Sequence, residues 1–156
     1  MNLRRFLSAW GPVVFWMALM VFGSTDLMSA EHTSRFITPF LRWLKPDISP
    51  VAIAHVHMVA RKTAHLAEYA ILTSLLFRAL PERVHGFWRR AGMAFVPAMI
   101  FAVADEYHQS FIPSRTASPI DVLVDCCGAF LGILSCRAIY PARARREAMA
   151  RKSSTN

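Results

Sequence analysis

The chain has 156 residues, enough for one domain, with 54% hydrophobic and only 18% charged residues and a mean hydropathy of +0.32. The apolar residues form long uninterrupted runs, which argues against a soluble protein. The net charge of +8 does not favour nucleic-acid binding, because the arginines gather at the chain ends and between apolar runs, as they do in the cytoplasmic flanks of membrane proteins.

The first predicted membrane segment covers residues 6–23. The stretch FLSAWGPVVFWMALMVFGST carries no charge, and about 20 such residues can cross a bilayer as one helix. A cleavable signal peptide is the alternative, since the basic flank RRFLSAW precedes the run. We favour an uncleaved helix because the run is long and GSTD is a poor cleavage site.

A predicted external loop, residues 24–49, contains a short amphipathic segment. In TSRFITPFLRWLK the large apolar side chains share one helical face and basic residues interrupt it. This pattern predicts a helix that lies in the membrane interface, with an ordinary structured loop as the alternative.

The second predicted helix begins at Pro50 and ends before Pro81. Ser49 is a good capping residue and proline fits the first helical position. The helix is long for a single crossing, so we place the crossing at residues 59–80 and the earlier part outside the membrane or in its interface.

The third and fourth crossings are AGMAFVPAMIFAVADEYHQ, in which Pro97 is a candidate kink, and IDVLVDCCGAFLGILSCRAIY. The spacing of Gly128 and Gly132 fits close helix packing. Three cysteines without zinc-site spacing are interpreted as packing residues: Cys126, Cys127 and Cys136. The predicted fold is all-α, a polytopic membrane protein with a bundle of about four transmembrane helices and an interfacial helix. Its domain covers residues 1–141, and a basic cytoplasmic tail covers residues 142–156.

Arginines precede the first segment, separate the second from the third and follow the fourth. The positive-inside rule then places both termini in the cytoplasm and makes the chain a multi-pass protein of the inner membrane. The turns at residues 24–49 and 111–119 face outward.

Polar side chains collect at the outward ends of the predicted segments, where Ser24 and Asp26 also lie. A charge at the centre of a bilayer costs about 2.5–3.5 kcal/mol, so these side chains should face one another or an outward pocket. The predicted pocket residues are Lys62, His65, Glu68, Tyr69, Asp105, Glu106, His108, Gln109, Arg115, Asp121 and Asp125. A purely structural polar network and a proton- or ion-coupled role are the alternatives.

Two stretches resemble the VanZ-like family of small integral membrane proteins. RKTAHLAEYAIL resembles R-K-x-x-H-x-x-x-Y-x-x-L, and the stretch from DEYHQSFIPSR to CCGAFLG resembles D-E-x-x-Q-x-F-x-P-x-R followed by spaced D, N and G positions. Asp125 stands where that pattern has asparagine. The matching residues are Arg61, Lys62, His65, Tyr69, Leu72, Asp105, Glu106, Gln109, Phe111, Pro113, Arg115, Asp121, Gly128 and Gly132. The resemblance implies the membrane fold and a family link to resistance against the glycopeptide teicoplanin, while the family's biochemical activity is mostly unassigned.

The favoured function is recognition or modulation of a cell-envelope headgroup, a lipid-linked precursor or a glycopeptide at the outward pocket. Membrane lipids are predicted partners, nucleic acid is not, and a homo-oligomer is allowed. A structural anchor or transporter-like subunit is a further alternative, although no inverted repeat is found.

A membrane phospholipid hydrolase or transferase is the main alternative. Ser114-Arg115-x5-Asp121-x3-Asp125 is similar in spacing to the S-R-x5-H-x3-D element of type-two phosphatidic acid phosphatases, but Asp121 replaces the nucleophilic histidine. The sequence identifies no cofactor and no metal site. A divalent ion held by four acids remains an open alternative: Asp105, Glu106, Asp121 and Asp125.

Overall fold

A computed structural model describes the backbone of residues 2–25, 30–81, 84, 86–112 and 118–153, and the side chains of these residues except 30–33 and 140–153. Its elements are five helices, and no strand occurs in the described ranges: α1 (Leu3–Gly23), α2 (Ala30–Leu44), α3 (Pro50–Ala79), α4 (Phe87–Gln109) and α5 (Pro119–Ser153). The predicted all-α fold is confirmed.

Local sequence explains where α3 begins and ends. The Ser49 hydroxyl accepts a hydrogen bond from the backbone N–H of Ala52 at 3.2 Å, and Pro50 occupies the first turn. At the other end Leu80 adopts an extended conformation, which the following proline favours. Pro97 lies inside α4 without ending it, and the backbone of α5 stays helical to Ser153, well into the predicted tail.

Three helices are long and apolar enough to cross a membrane, namely α1, α4 and the part of α5 from Pro119 to Ile139. The segment predicted at residues 59–80, within α3, is not one of them. The reason is that α3 carries Arg61, Lys62, His65 and Glu68 in its middle, which lowers its hydropathy. A fourth crossing therefore stays a prediction that hydropathy alone does not support.

The packing of α3 against α5 bears on that prediction. Gly128 lies against the backbone of Leu66, and Gly132 lies against that of Ala70. A step of four residues along α5 thus matches a step of four residues along α3, so the two helices run parallel. A Cβ atom at Gly128 would stand 2.9 Å from the Cα atom of Leu66. The contact of α3 with the apolar part of α5 supports the prediction that α3 also crosses the membrane.

The distribution of side-chain size is that of a membrane bundle. Alanines on one face of α4, among them Ala94, Ala98 and Ala102, are fully buried, while Ile100 and Leu123 are more than 60% exposed. A soluble protein would bury the large apolar side chains instead. The bundle therefore turns its large apolar side chains outward, as contact with lipid requires.

The segment before α3 is a helix, α2, and not an irregular loop. Its Phe36 and Trp43 side chains are about four-fifths exposed, and Thr38 lies 3.4 Å from the His57 ring of α3. A helix that contacts the bundle on one side and exposes aromatic residues on another has the form of an interfacial helix. Its position in a membrane interface remains a prediction.

Candidate functional site

The candidate site lies at the polar end of the bundle, defined as the end where α1 and α4 finish and α5 begins. Its central contact joins two cations to one carboxylate. Arg61 Nη2 donates to Asp121 Oδ2 at 2.9 Å, and Lys62 Nζ donates to Asp121 Oδ1 at 2.8 Å. Asp121 lies in the first turn of α5, where the helix dipole also favours a negative charge.

One turn deeper, a second pair joins the same two helices. The Nδ1 atom of His65 lies 3.0 Å from Oδ1 of Asp125, and the two side chains are 8% and 1% exposed. His65 follows Arg61 by four residues, and Asp125 follows Asp121 by four, so each helix presents both of its residues on one face. Because α3 and α5 run parallel, Arg61 meets Asp121 and His65 meets Asp125 one turn further along both helices.

Gln109 connects the remaining helices to this cluster. Its amide oxygen accepts from Arg61 at 3.4 Å, and its amide nitrogen donates to Asp105 at 3.0 Å and to the Ser24 hydroxyl at 3.4 Å. The side chain is fully buried. Because Ser24 follows α1, this one amide links α1, α3 and α4, and Arg61 in turn connects it to Asp121 on α5.

Glu106 joins the end of α4 to the start of α5 by a hydrogen bond. Its Oε1 accepts a hydrogen bond from the backbone N–H of Ser118, directly before α5. Its other oxygen is buried and has no partner among the described residues. The contact orients the start of α5, which carries Asp121.

We call Arg61, Lys62, His65, Asp105, Glu106, Gln109, Asp121 and Asp125 the polar cluster. Seven of these eight residues were predicted to lie in the pocket.

The other described members of the predicted pocket have different surroundings. Tyr69 is fully buried and packs against Phe101, with ring centroids 6.3 Å apart. The backbone carbonyl of Glu68 accepts from Trp16 Nε1 at 3.0 Å, and the His108 side chain is exposed. The predictions for Arg115 and Asp26 fall outside the described residues.

Arg61 is the residue that the pocket prediction omitted, although it belongs to the motif that carries the family resemblance. A signal was present in the sequence. Arg61 precedes His65 by four residues and Tyr69 by eight, so it lies on their helical face. The shared face is enough to place Arg61 with the predicted pocket residues.

The cluster is packed rather than open. Lys62 and Arg61 form its most accessible part, with side chains 35% and 27% exposed, whereas Asp121 is 8% exposed. Two shallow apolar depressions lie elsewhere, one of about 480 Å³ on α4 beside Trp88 and one of about 330 Å³ on α3 beside His55. Among the described residues no three His, Cys, Asp or Glu side chains are placed to share a metal ion. The four acids of the metal alternative, Asp105, Glu106, Asp121 and Asp125, therefore do not form such a group.

The fold and this cluster define a small helical membrane protein whose helices are joined by a network of charged side chains at one end. Residues 9–140 match the family model described as VanZ/LLP1, so the chain belongs to this family, as its two motifs predict. The comparison with curated proteins and the comparison with solved structures each gave no match.

Proposed function

We propose that the polar end recognises the phosphate-bearing headgroup of an envelope lipid or lipid-linked precursor and thereby modulates how the cell envelope handles that molecule. The observation that carries the proposal is the convergence of Arg61 and Lys62 on Asp121. The guanidinium and ammonium groups make charge-assisted hydrogen bonds to carboxylate and phosphate alike. Asp121 thus occupies a position that a phosphate group suits.

The accessibility of the pair supports exchange of one anion for another. Lys62 and Arg61 retain about a third and a quarter of their side-chain exposure, while the partner carboxylate is nearly covered. A headgroup approaching from the polar end would meet the cations first. The contacts deeper in the bundle, between His65 and Asp125, would stay in place.

The orientation follows from the charge distribution. Arginine is concentrated at the end of the bundle opposite the cluster and in the C-terminal extension, so we propose that both termini are cytoplasmic and that the cluster faces outward from the inner membrane. An outward cluster would meet lipid-linked precursors after their transfer across the membrane. A glycopeptide drug is a second proposed partner, on the strength of the family's link to teicoplanin alone.

Lipid binding to the purified full chain tests the proposal. Native mass spectrometry would compare a polyprenyl phosphate with the matching polyprenol, using the parent protein, Arg61→Gln, Lys62→Gln and, as a control, Arg78→Gln. Arg78 is an exposed cation at the far end of α3. We expect phosphate-dependent binding that both cluster variants weaken about tenfold and the control does not; equal binding of phosphate and alcohol would refute the proposal.

The same samples separate the enzymatic alternative. A hydrolase or transferase would consume the polyprenyl phosphate and release or transfer phosphate, whereas a recognition protein would leave it intact. Drug susceptibility of cells that express the parent protein or Lys62→Gln would show whether the family's link to teicoplanin extends to this chain.

A further inference from the structure

A stripe of polar side chains on α3 runs from the polar cluster into the bundle. Arg61, His65, Tyr69 and Thr73 follow one another at intervals of four residues and so share one helical face. Twelve residues of helix span about 18 Å. Exposure falls along the stripe from 27% for the Arg61 side chain to 0% for Tyr69 and Thr73. The stripe therefore reaches far below the surface at which Arg61 is accessible.

The deeper part of the stripe contains hydrogen-bonding atoms that the described residues do not satisfy. The hydroxyl groups of Tyr69 and Thr73 are buried without a partner, and so is Oδ2 of Asp125. Tyr69 and Thr73 are 0% exposed and Asp125 is 1% exposed. Leaving several such groups dry inside a membrane protein is strongly unfavourable.

The described side chains do not supply these partners. Leu72 on α3, Ala98 and Ala102 on α4 and Ala129 on α5 are fully buried neighbours in the same core, and none has a polar side-chain atom. No described backbone group is placed to hydrogen-bond these atoms either. Buried polar groups in this situation are commonly satisfied by ordered water.

The three residues occupy successive levels of the bundle, with Asp125 at the level of His65, Tyr69 one turn deeper and Thr73 two turns deeper. His65 faces Asp125 across the parallel contact of α3 and α5, and Tyr69 follows His65 by one turn. A long side chain on a helix leans toward the helix N-terminus, which directs the Tyr69 phenol back toward the level of His65 and Asp125. The stripe ends in apolar residues, because Leu76 and Phe77 follow Thr73 in the core.

We propose that Tyr69, Thr73 and Asp125 bind a short chain of water molecules that enters from the polar end and stops above Leu76. The water makes the His65–Asp125 pair a proton-exchanging centre inside the bundle, open to one side of the membrane only. This role does not depend on headgroup recognition, since it uses none of the contacts of Lys62.

Two isosteric substitutions test for the bound water. If the hydroxyl groups are dry, Tyr69→Phe and Thr73→Val remove unsatisfied groups and leave the thermal midpoint of the purified protein unchanged or higher. If they bind water, each substitution loses a satisfied hydrogen bond, and we expect the midpoint to fall by about 2–4 °C. Tyr107→Phe and Thr63→Val alter exposed residues of α4 and α3 and serve as matched controls. An unchanged or raised midpoint in both test variants would overturn the proposal.

Proton exchange at His65 gives a second, independent measurement. In detergent-solubilised protein, nuclear magnetic resonance would follow the His65 ring N–H after transfer to heavy water, with His65→Gln used for assignment. If water reaches His65, we expect its ring proton to exchange within the time of mixing in the parent protein. The same exchange should be at least about tenfold slower in Tyr69→Phe, because this variant lacks a hydroxyl group that binds the water. A ring proton that stays protected for hours in the parent protein would refute the water chain.

Discussion

The Nδ1 atom of His65 lies 3.0 Å from Oδ1 of Asp125, in a contact that is almost completely buried between α3 and α5. In the motif that the sequence resembles, asparagine is the expected residue where this chain has Asp125. An asparagine oxygen can accept the same hydrogen bond from the ring, but it brings no charge. Replacing aspartate by asparagine at this position therefore separates the contribution of the hydrogen bond from that of the charge.

Substitutions at Asp125 should separate these parts. We expect Asp125→Asn to fold with a stability within about 1 kcal/mol of the parent protein, because the amide keeps the hydrogen bond. Asp125→Ala leaves a buried ring nitrogen without a partner and should cost about 1–3 kcal/mol. Thermal unfolding of the purified proteins measures both, and equal losses in the two variants would contradict this assignment.

Close contact between α3 and α5 predicts a sharp difference between glycines. A Cβ at Gly128 would meet the backbone of Leu66, which cannot move aside as a flexible side chain would, so Gly128→Ala should destabilise the protein by about 1–3 kcal/mol or more. Gly92→Ala in α4 is the matched control, since no atom lies within 4 Å of its added methyl group.

Gly92→Ala should be neutral or stabilise the protein by about 0.5–1 kcal/mol, because alanine favours the helix. Chemical or thermal unfolding in one detergent compares the two variants directly. Equal stability of Gly128→Ala and Gly92→Ala would show that the helices are not in contact at Gly128.

Removing the charge of Asp121 should lower the stability of the protein and raise its affinity for a phosphate. In Asp121→Asn the Arg61 and Lys62 groups lose their anionic partner, so stability should fall by about 1 kcal/mol, a small value because both cations are partly exposed. The same change removes the carboxylate that competes with a phosphate for Arg61 and Lys62. The affinity for a polyprenyl phosphate should rise by about tenfold, measured by the same lipid titration, and a fall in affinity would mean that Asp121 itself contributes to binding.

Most of the polar cluster could be predicted from the sequence, because its polar residues collect at the outward ends of the predicted segments and a charge that faces lipid is costly. The sequence did not distinguish Glu106 from His108, which flank the Asp105–Gln109 stripe on opposite sides. Only the position of α5 decides between them, since the Ser118 N–H bonds to Glu106 while His108 is exposed. The pairing of Arg61 with Asp121 likewise depends on the register of α3 on α5, and two glycines set that register through contacts distant in sequence.

Topology provides the test of α3 as a fourth crossing. Asp47 lies before α3 and Arg89 lies in the first turn of α4, and both side chains are exposed. Asp47→Cys and Arg89→Cys would be made separately in a variant whose three native cysteines are replaced by alanine. If α3 crosses the membrane, these positions lie on opposite sides.

A maleimide that cannot cross membranes should then label Asp47→Cys in intact cells and Arg89→Cys only after the membrane is opened. Labelling of both positions from the same side would mean that α3 does not cross. In that case the polar cluster, which α3 brings to α5, would have to be reached from the interface and not from within the bundle. The reverse pattern, with only Arg89→Cys labelled in intact cells, would keep the crossing but place the cluster on the cytoplasmic side, against the orientation that the arginines predict.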